Sequence, residues 1–379
     1  MSNKKELHIL YIITKLELGG AQKVCLSLMQ GLQKTGNHSF LISGNEGPLT
    51  SKVRNNPNVK LFSTFKREVF NPLHEFKNFL LLTKEIKKIK KMHPGLVVHT
   101  HSTKAGIVGR WAAWFAGLRK IVHTVHGYSF HSHQKKMVWV AHYVLEFLTS
   151  LITTHFVCVS SYDVKLGIKL FPRFEKKHSI IRAAIEDEKF AIPVKKTNPF
   201  PENGKPFIFG TTSCFKQQKN LPDLLKAFKA VYTKNPNVKL EIIGDGIMRK
   251  EIERYIKENQ IGHVVVLHGW QENVVSIMEN WHAFVMSSLW EGLPCAIVEA
   301  RLLHLPIISY DTGGIHDVII NSKNGLLFKQ YDWKSLAGGM HSISTNQQTH
   351  KKMAFYEDDL ESFKTETMIS EHIELYKNI

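Results

Sequence analysis

Short apolar runs alternate along the chain with longer stretches whose apolar positions recur every three to four residues, the pattern of parallel strands covered by helices. In the first half the runs predict strands at Leu7–Ile13, Ser39–Ser43, Val59–Phe62, Leu96–His99, Lys120–Thr124, Phe156–Ser160 and His178–Ile181. Helical periodicity falls between them at Gly20–Lys34, Phe76–Met92, Lys104–Ala116, Lys136–Thr149 and Ser161–Leu170. The second half repeats the scheme, with strands at Phe207–Thr212, Lys239–Ile243, Val264–Leu267, Ala283–Met286 and Pro306–Tyr310. Its helices are expected at Leu221–Thr233, Met248–Asn259, Val274–Trp281 and Ala296–Leu303. Residues 191–206 hold four prolines with Asn203 and Gly204 and show little period, so they read as a linker. The expectation is an α/β protein made of two doubly wound parallel sheets, residues 1–190 and 207–355. Ligands of such sheets bind beyond the carboxyl ends of the strands.

A chain of 379 residues suits two domains, and 43% hydrophobic with 22% charged residues excludes a wholly disordered chain or a multi-span membrane protein. The Val138–Val159 stretch is the nearest to a membrane span, but it contains His142, Glu146 and His155, and is expected to be a buried helix followed by a strand. The Leu7–Ile13 run imitates a leader peptide until Lys15 and Glu17 interrupt it, and reads as a first buried strand. Cys25, Cys158, Cys214 and Cys295 lie far apart with no CxxC, which fits the reducing cytosol. Charge is less ordinary. The net +17 lies entirely in residues 1–190, which carry 29 basic and 12 acidic side chains, whereas residues 191–379 carry 21 of each. Clustered cations suit nucleic acid or an anionic membrane, or simply form a solvated face. No nucleic-acid recognition motif is present, so nucleic acid is not an expected partner.

The motifs that carry chemistry follow predicted strands. Leu18-Gly19-Gly20-Ala21 opens the first helix, where two glycines let backbone N–H groups approach an anion. In the second half, Glu291 and Glu299 flank a Gly292-Leu293-Pro294 turn ahead of a helix, and Gly313-Gly314 follows the next strand. Carboxylates suit sugar and ribose hydroxyls, and the N–H groups from Gly292 onward suit a phosphate. The bland alternative is a capping Glu beside a surface Glu. Histidines are abundant in the first half, and His99 and His101 share one strand face, but without HExxH or a carboxylate cluster no metal is expected.

The segments EGLPCAIVEA, TGGIHDVI, NGLLF and LGGAQKV together resemble the retaining GT-B-fold glycosyltransferases of family four (glycosyl transferases group 1), over about residues 7–330. The resemblance implies two facing Rossmann-like domains with an interdomain cleft, and residues 356–379 as a closing helix that packs back on the N-terminal domain. It further implies a hexosyltransferase moving a sugar, with retention, from a nucleotide-sugar donor, by frequency UDP-linked, to a saccharide or lipid-linked acceptor in cell-surface polysaccharide or glycolipid synthesis. No cofactor or metal is implied.

Carried over residue by residue, Glu299 would bind the ribose, Glu291 the donor sugar, and Lys219 the diphosphate. His126, in Val122-His123-Thr124-Val125-His126-Gly127, would contact the sugar near the reacting centre, and Gly244 would border the nucleotide. Cys214 stands where the family has an arginine, a departure that a thiol cannot make good electrostatically; Lys216, two residues on, is the expected substitute. The resemblance places the acceptor in the basic half, so peripheral attachment to the inner face of an anionic membrane is expected, with the lysine-rich Lys84–Lys91 helix as one contact. Two rivals remain: a GT-B-fold nucleotide-sugar isomerase, and a silent paralogue motivated by Cys214.

Overall fold

The computed structural model describes residues 6–65, 72–131, 133–185, 190, 200–202 and 204–379, so most of the expected linker, residues 191–199 and 203, lies outside the described residues. The chain divides into two compact units, Met1–Ala184 with Glu361–Ile379, and Ile185–Leu360.

In the first unit the chain runs β1 (His8–Ile13), α1 (Gly20–Lys34), β2 (His38–Gly44), α2 (Thr50–Val53), β3 (Val59–Phe62), α3 (Pro72–Met92), β4 (Val97–His101) and α4 (Thr103–Phe115). It continues through β5 (Ile121–Val125), α5 (Lys136–Leu151), β6 (His155–Cys158), α6 (Ser161–Leu170) and β7 (His178–Ile180). The seven strands are all parallel in the order β3-β2-β1-β4-β5-β6-β7. The order reverses between β1 and β4, which opens a crevice at their carboxyl ends. Every residue of Ile9–Ile13, Val97–His101 and Ile121–Val125 is buried, as expected of strands covered on both faces.

The second unit repeats the plan with β8 (Phe207–Thr212), α7 (Leu221–Lys234), β9 (Val238–Ile243), α8 (Arg249–Glu258), β10 (Val265–Gly269), α9 (Val275–Met278) and β11 (Ala283–Met286). Then come α10 (Cys295–Leu302), β12 (Ile307–Tyr310), β13 (Gly325–Phe328), α11 (Trp333–Thr345) and α12 (Gln347–Ala354). Its six parallel strands lie in the order β10-β9-β8-β11-β12-β13, with the reversal between β8 and β11. Those two strands pair only through Ala283↔Phe209 and Phe284↔Gly210, so their loops diverge early. A side chain at Gly210 would strike the buried Trp281 ring, its Cβ lying 1.8 Å away, so glycine keeps the switch point closed-packed.

The last helix, α13 (Thr365–Asn378), belongs to the first unit. Its Tyr376 hydroxyl hydrogen-bonds the Tyr11 hydroxyl of β1 at 3.2 Å and His99 Nδ1 of β4 at 2.5 Å. Ile369 packs on α1 where Gly31 leaves room.

Most predicted elements agree with the observed ones to within a few residues. The helix expected at Val274–Trp281 shortens to the single turn Val275–Met278, and β13, α11 and α12 lie beyond the predicted elements. A larger correction concerns α5, expected as a buried helix. It buries Glu146, Thr149 and Ser150 and turns Met137, Val140, Val144, Leu145, Leu148 and Leu151 to solvent. The cause is Arg110 of α4, fully buried, whose Nη2 donates to Glu146 Oε2 at 2.6 Å while Trp111 Nε1 donates to Thr149 Oγ1 at 3.0 Å. A buried guanidinium needs a carboxylate more than the apolar residues need cover.

Candidate functional site

In the second unit the loops that leave β8, β9, β11 and β12 at their carboxyl ends are tied to one another. After β8, Ser213 N–H donates to Ile243 O at 2.8 Å, and Phe215 N–H to Asp245 O at 2.9 Å. Gly244 has φ +127, and a Cβ there would lie 2.0 Å from Ser213 O, so the β9 turn can approach β8 only as glycine. A short 3-10 turn, Gln217–Lys219, then meets the loop after β11. Leu289 N–H donates to Gln218 O at 2.8 Å, Gln218 Nε2 to Trp290 O at 2.7 Å, and Ser287 Oγ to Lys219 O at 2.9 Å.

The chemistry-bearing side chains lie across this seam. Lys219 Nζ donates to Glu291 Oε1 at 2.5 Å, with the Glu291 side chain 10% and that of Lys219 22% exposed. Both keep a solvent-reachable edge. The loop after β12 closes the third side: Thr312 Oγ1 donates to Leu289 O at 3.1 Å and Gly314 N–H to Gly292 O at 2.7 Å. Gly313 has φ +54 and would put a Cβ 2.0 Å from Glu291 O, so its glycine is what seats the Glu291 backbone. Gly292, Leu293 and Pro294 are buried; Pro294 caps α10, whose first N–H groups have no acceptor within the helix. Glu299 stands half-buried one turn into α10, and Lys216, half-buried, precedes the 3-10 turn with no ion-pair partner among the described residues. Cys214 is half-buried beside it in sequence.

Two site residues escaped the sequence reading. Ser213 and Ser288 bury hydroxyls that have no hydrogen-bond partner among the described residues, at the carboxyl ends of β8 and β11, on either side of the switch point. A buried hydroxyl without a partner costs about 1–3 kcal/mol, which a bound polar ligand would recover. The only sequence signal for them was a small polar residue within two positions after a predicted strand.

In the first unit, His126 follows β5, half-buried, in a hollow lined also by Ser102, Thr103, Tyr128 and Ser129. His101 Nδ1 and His126 Nε2 are hydrogen-bonded at 3.0 Å. Burial, and then the nearby His372 of α13, push the His126 pKa down to about 4, so its ring is neutral near pH 7. His99 is satisfied by Tyr376 and by Thr124 Oγ1 at 2.7 Å, and His123 by Thr100 Oγ1 at 2.9 Å. These imidazoles form a buried hydrogen-bonded layer beneath His126. Gly19 caps α1 in an extended conformation and Gly20 begins the helix, so the first N–H groups of α1 stand open at the carboxyl end of β1.

Two family patterns cover most of the chain. The one described as Glycosyl transferases group 1 matches residues 195–358, and the one described as Glycosyltransferase Family 4 matches residues 18–189. The chain belongs to the GT-B glycosyltransferases. An Escherichia coli UDP-Gal:alpha-D-GlcNAc-diphosphoundecaprenol alpha-1,3-galactosyltransferase is 29% identical over 353 residues, 91% of this chain and 90% of that protein. A Staphylococcus aureus capsular polysaccharide biosynthesis glycosyltransferase, CapM, is 24% identical over 72% of this chain and 73% of its own length. The crystal structure of Anabaena Alr3699/HepE in complex with UDP and glucose superposes with a TM-score of 0.82 at 16% identity, covering 99% of this chain and 100% of that one.

Proposed function

We propose that this glycosyltransferase transfers a hexose from a UDP-sugar to a saccharide carried on a lipid diphosphate, with retention of the anomeric configuration. The observation that carries the reading is the seam at the β8–β11 switch point. There Lys219, Glu291, two partnerless serine hydroxyls and the α10 amides gather on loops tied to one another. The E. coli relative's name supplies the first pair to test, a UDP-galactose donor and a GlcNAc-diphosphoundecaprenol acceptor.

Breaking the bond from the anomeric carbon to the diphosphate builds positive charge on the sugar and negative charge on the leaving group. Lys219, Lys216 and the helix N-terminal amides stabilise the latter, and such preorganised donors provide the main acceleration. In this reading Glu291 gives up part of its hold on Lys219 to accept sugar hydroxyls, Glu299 holds the ribose, Gly244 borders the nucleotide, and the glycines Gly19 and Gly20 present N–H groups of α1. Neutral His126 donates or accepts a hydrogen bond at the sugar. No metal takes part, because lysines and amides meet the diphosphate charge.

The acceptor's lipid sets the location. No helix among the described residues is long and apolar enough to cross a membrane. What supports contact at the cytoplasmic leaflet is the outward apolar stripe of α5, where Met137 is 86% and Leu151 59% exposed, beginning beside Lys135 and Lys136. Apolar residues buried at the headgroup boundary and lysines facing anionic lipid are the two halves of an interfacial helix.

The deciding experiment incubates the full chain with UDP-galactose, then other UDP-hexoses, and the lipid-diphosphate acceptor, and reads the product anomer by NMR. An α-linked product from an α-linked donor is expected. An inverted product refutes retention, an altered UDP-sugar without transfer favours the isomerase, and no turnover with any donor that binds favours the silent paralogue. Vesicle co-sedimentation, comparing anionic with neutral lipid, tests the membrane contact. Replacing Met137, Leu148 and Leu151 with serine is expected to abolish binding to anionic vesicles, and unchanged binding excludes α5.

A further inference from the structure

At the opposite end of the first sheet from the ligand crevice, the amino ends of β1 and β2 bring three metal-ligating side chains together. His8 and His38 are register partners on adjacent parallel strands, so the pleat points both rings to one face. The rings stack with centroids 4.9 Å apart and planes within 2°. Glu6, two residues before His8 and therefore on the same face, reaches across, its Oε2 lying 3.3 Å from His38 Nε2. One ligand atom from each of Glu6, His8 and His38 lies within 4.8 Å of the others. His93, just past α3, lies beside both rings, its centroid 4.4 Å from that of His8 and 6.1 Å from that of His38.

We propose that Glu6, His8 and His38 form a site for a borderline divalent transition-metal ion of the Zn2+ class, separate from the transferase site. Ligands held ~2.0–2.1 Å from a tetrahedral zinc sit ~3.3–3.4 Å apart. The Glu6–His38 separation of 3.3 Å already meets that spacing. Two imidazoles and one carboxylate are a donor set that such an ion prefers to magnesium or calcium, which take oxygen ligands. The framework is fixed by backbone: His38 N–H donates to Leu7 O at 2.9 Å, and Leu7 N–H to Asn37 Oδ1 at 3.0 Å. Closure therefore needs only side-chain rotation. His93 buttresses the His8 ring, and the fourth position is left to water.

A metal here would clip the start of β1 to β2, a structural role with no part in glycosyl transfer. The ligands converge only in the folded strand pairing, being separated in sequence by up to 32 residues between Glu6 and His38. Binding is therefore coupled to the fold and raises its stability.

The test uses the full chain stripped with chelator and dialysed against Zn2+, with Co2+ as a spectroscopic stand-in. One tight equivalent, four-coordinate cobalt bands and a raised melting temperature are expected. Because the chain has 21 histidines, the difference between variants decides. His38→Asn and Glu6→Gln, both at exposed positions, should each weaken the tight equivalent by more than the ~10–100-fold that losing an outer-shell partner costs. Circular dichroism of the unloaded variants should match the parent, and glycosyl transfer should be unchanged. If both variants bind Zn2+ as tightly as the parent, or cobalt shows only six-coordinate aquo-like bands, the site is refuted. Either result stands independently of whether the proposed transfer reaction is found.

Discussion

Glu146→Ala should destabilise the first unit severely, although it removes one charge from a helix whose neighbours are apolar. Arg110 is fully buried and donates three ways: Nη2 to Glu146 Oε2 at 2.6 Å, Nη1 to Thr153 Oγ1 at 3.1 Å and Nε to Gly106 O at 2.8 Å. Without Glu146, two neutral acceptors are left to a full positive charge. Breaking such a pair from one side costs ~3–5 kcal/mol. In a folding unit of roughly 200 residues each kcal/mol moves the melting temperature by ~2–4 °C, so a fall of about 6–20 °C is expected by calorimetry or near-ultraviolet circular dichroism. Removing both charges is different. Arg110→Met with Glu146→Leu replaces a desolvated pair by packed apolar groups, which is commonly neutral or better, so the double variant should recover most of the loss. A Glu146→Ala chain within ~1 kcal/mol of the parent, or a double variant as weak as the single one, would refute the reasoning. Because the pair also sets which face of α5 points outward, Glu146→Ala should weaken vesicle binding as well.

Three further outcomes follow from the site and its surroundings. Lys219→Ala and Lys216→Ala should each lower kcat by ~10²–10³ with donor binding partly kept, as for loss of one charge-stabilising donor. Adding Cys214→Arg to Lys216→Ala should restore part of the rate, and no rescue would mean that Lys216 does not stand in for an arginine. Gly313→Ala forces a Cβ onto Glu291 O and a side chain into φ +54, so donor KM should rise while the melting temperature falls only modestly; unchanged kinetics would separate this turn from Glu291. Acid should unfold the first unit early: His372, its pKa lowered to about 4 by burial, stays neutral when folded but takes up a proton below about 6.5 when unfolded. Stability is therefore full above pH ~6.5 and declines as pH falls toward 4, by up to ~3 kcal/mol from this residue. Denaturant midpoints at pH 7.5 and 5.5 measure it, and a pH-independent midpoint in that window would contradict the buried neutral histidine.

The strand and helix plan was legible because both sheets are covered on two faces, so strands such as Ile9–Ile13 appear as unbroken apolar runs. Glu291, Glu299 and Gly313 stood out because ligands of a doubly wound sheet bind just past strand ends, and Lys219 through the family resemblance. Local pattern failed where the deciding partner is remote. The orientation of α5 depends on Arg110, 36 residues upstream of Glu146, and periodicity gives a helix two faces without saying which one is turned in. The pairing of Lys219 with Glu291 spans 72 residues and follows from the adjacency of β8 and β11. No metal was expected at His99 and His101, where His99 bonds Tyr376 and Thr124 and His101 Nδ1 bonds His126. The cluster that does converge, Glu6 with His8 and His38, needed the β1–β2 register to be seen.

The membership of α13 in the first unit has a consequence for how the protein is made. Tyr376 supplies the hydroxyl that meets Tyr11 and His99, yet it is translated after the whole of Ile185–Leu360. At ~5–20 residues per second that interval is about 10–35 s. During it β1 and α1 lack the contacts of α13, and His99 keeps Thr124 but not Tyr376 as a partner. The second unit, whose residues are contiguous, can complete its core in that time. The order of assembly is thus the reverse of the order of synthesis: the half that begins the chain is the last to be finished.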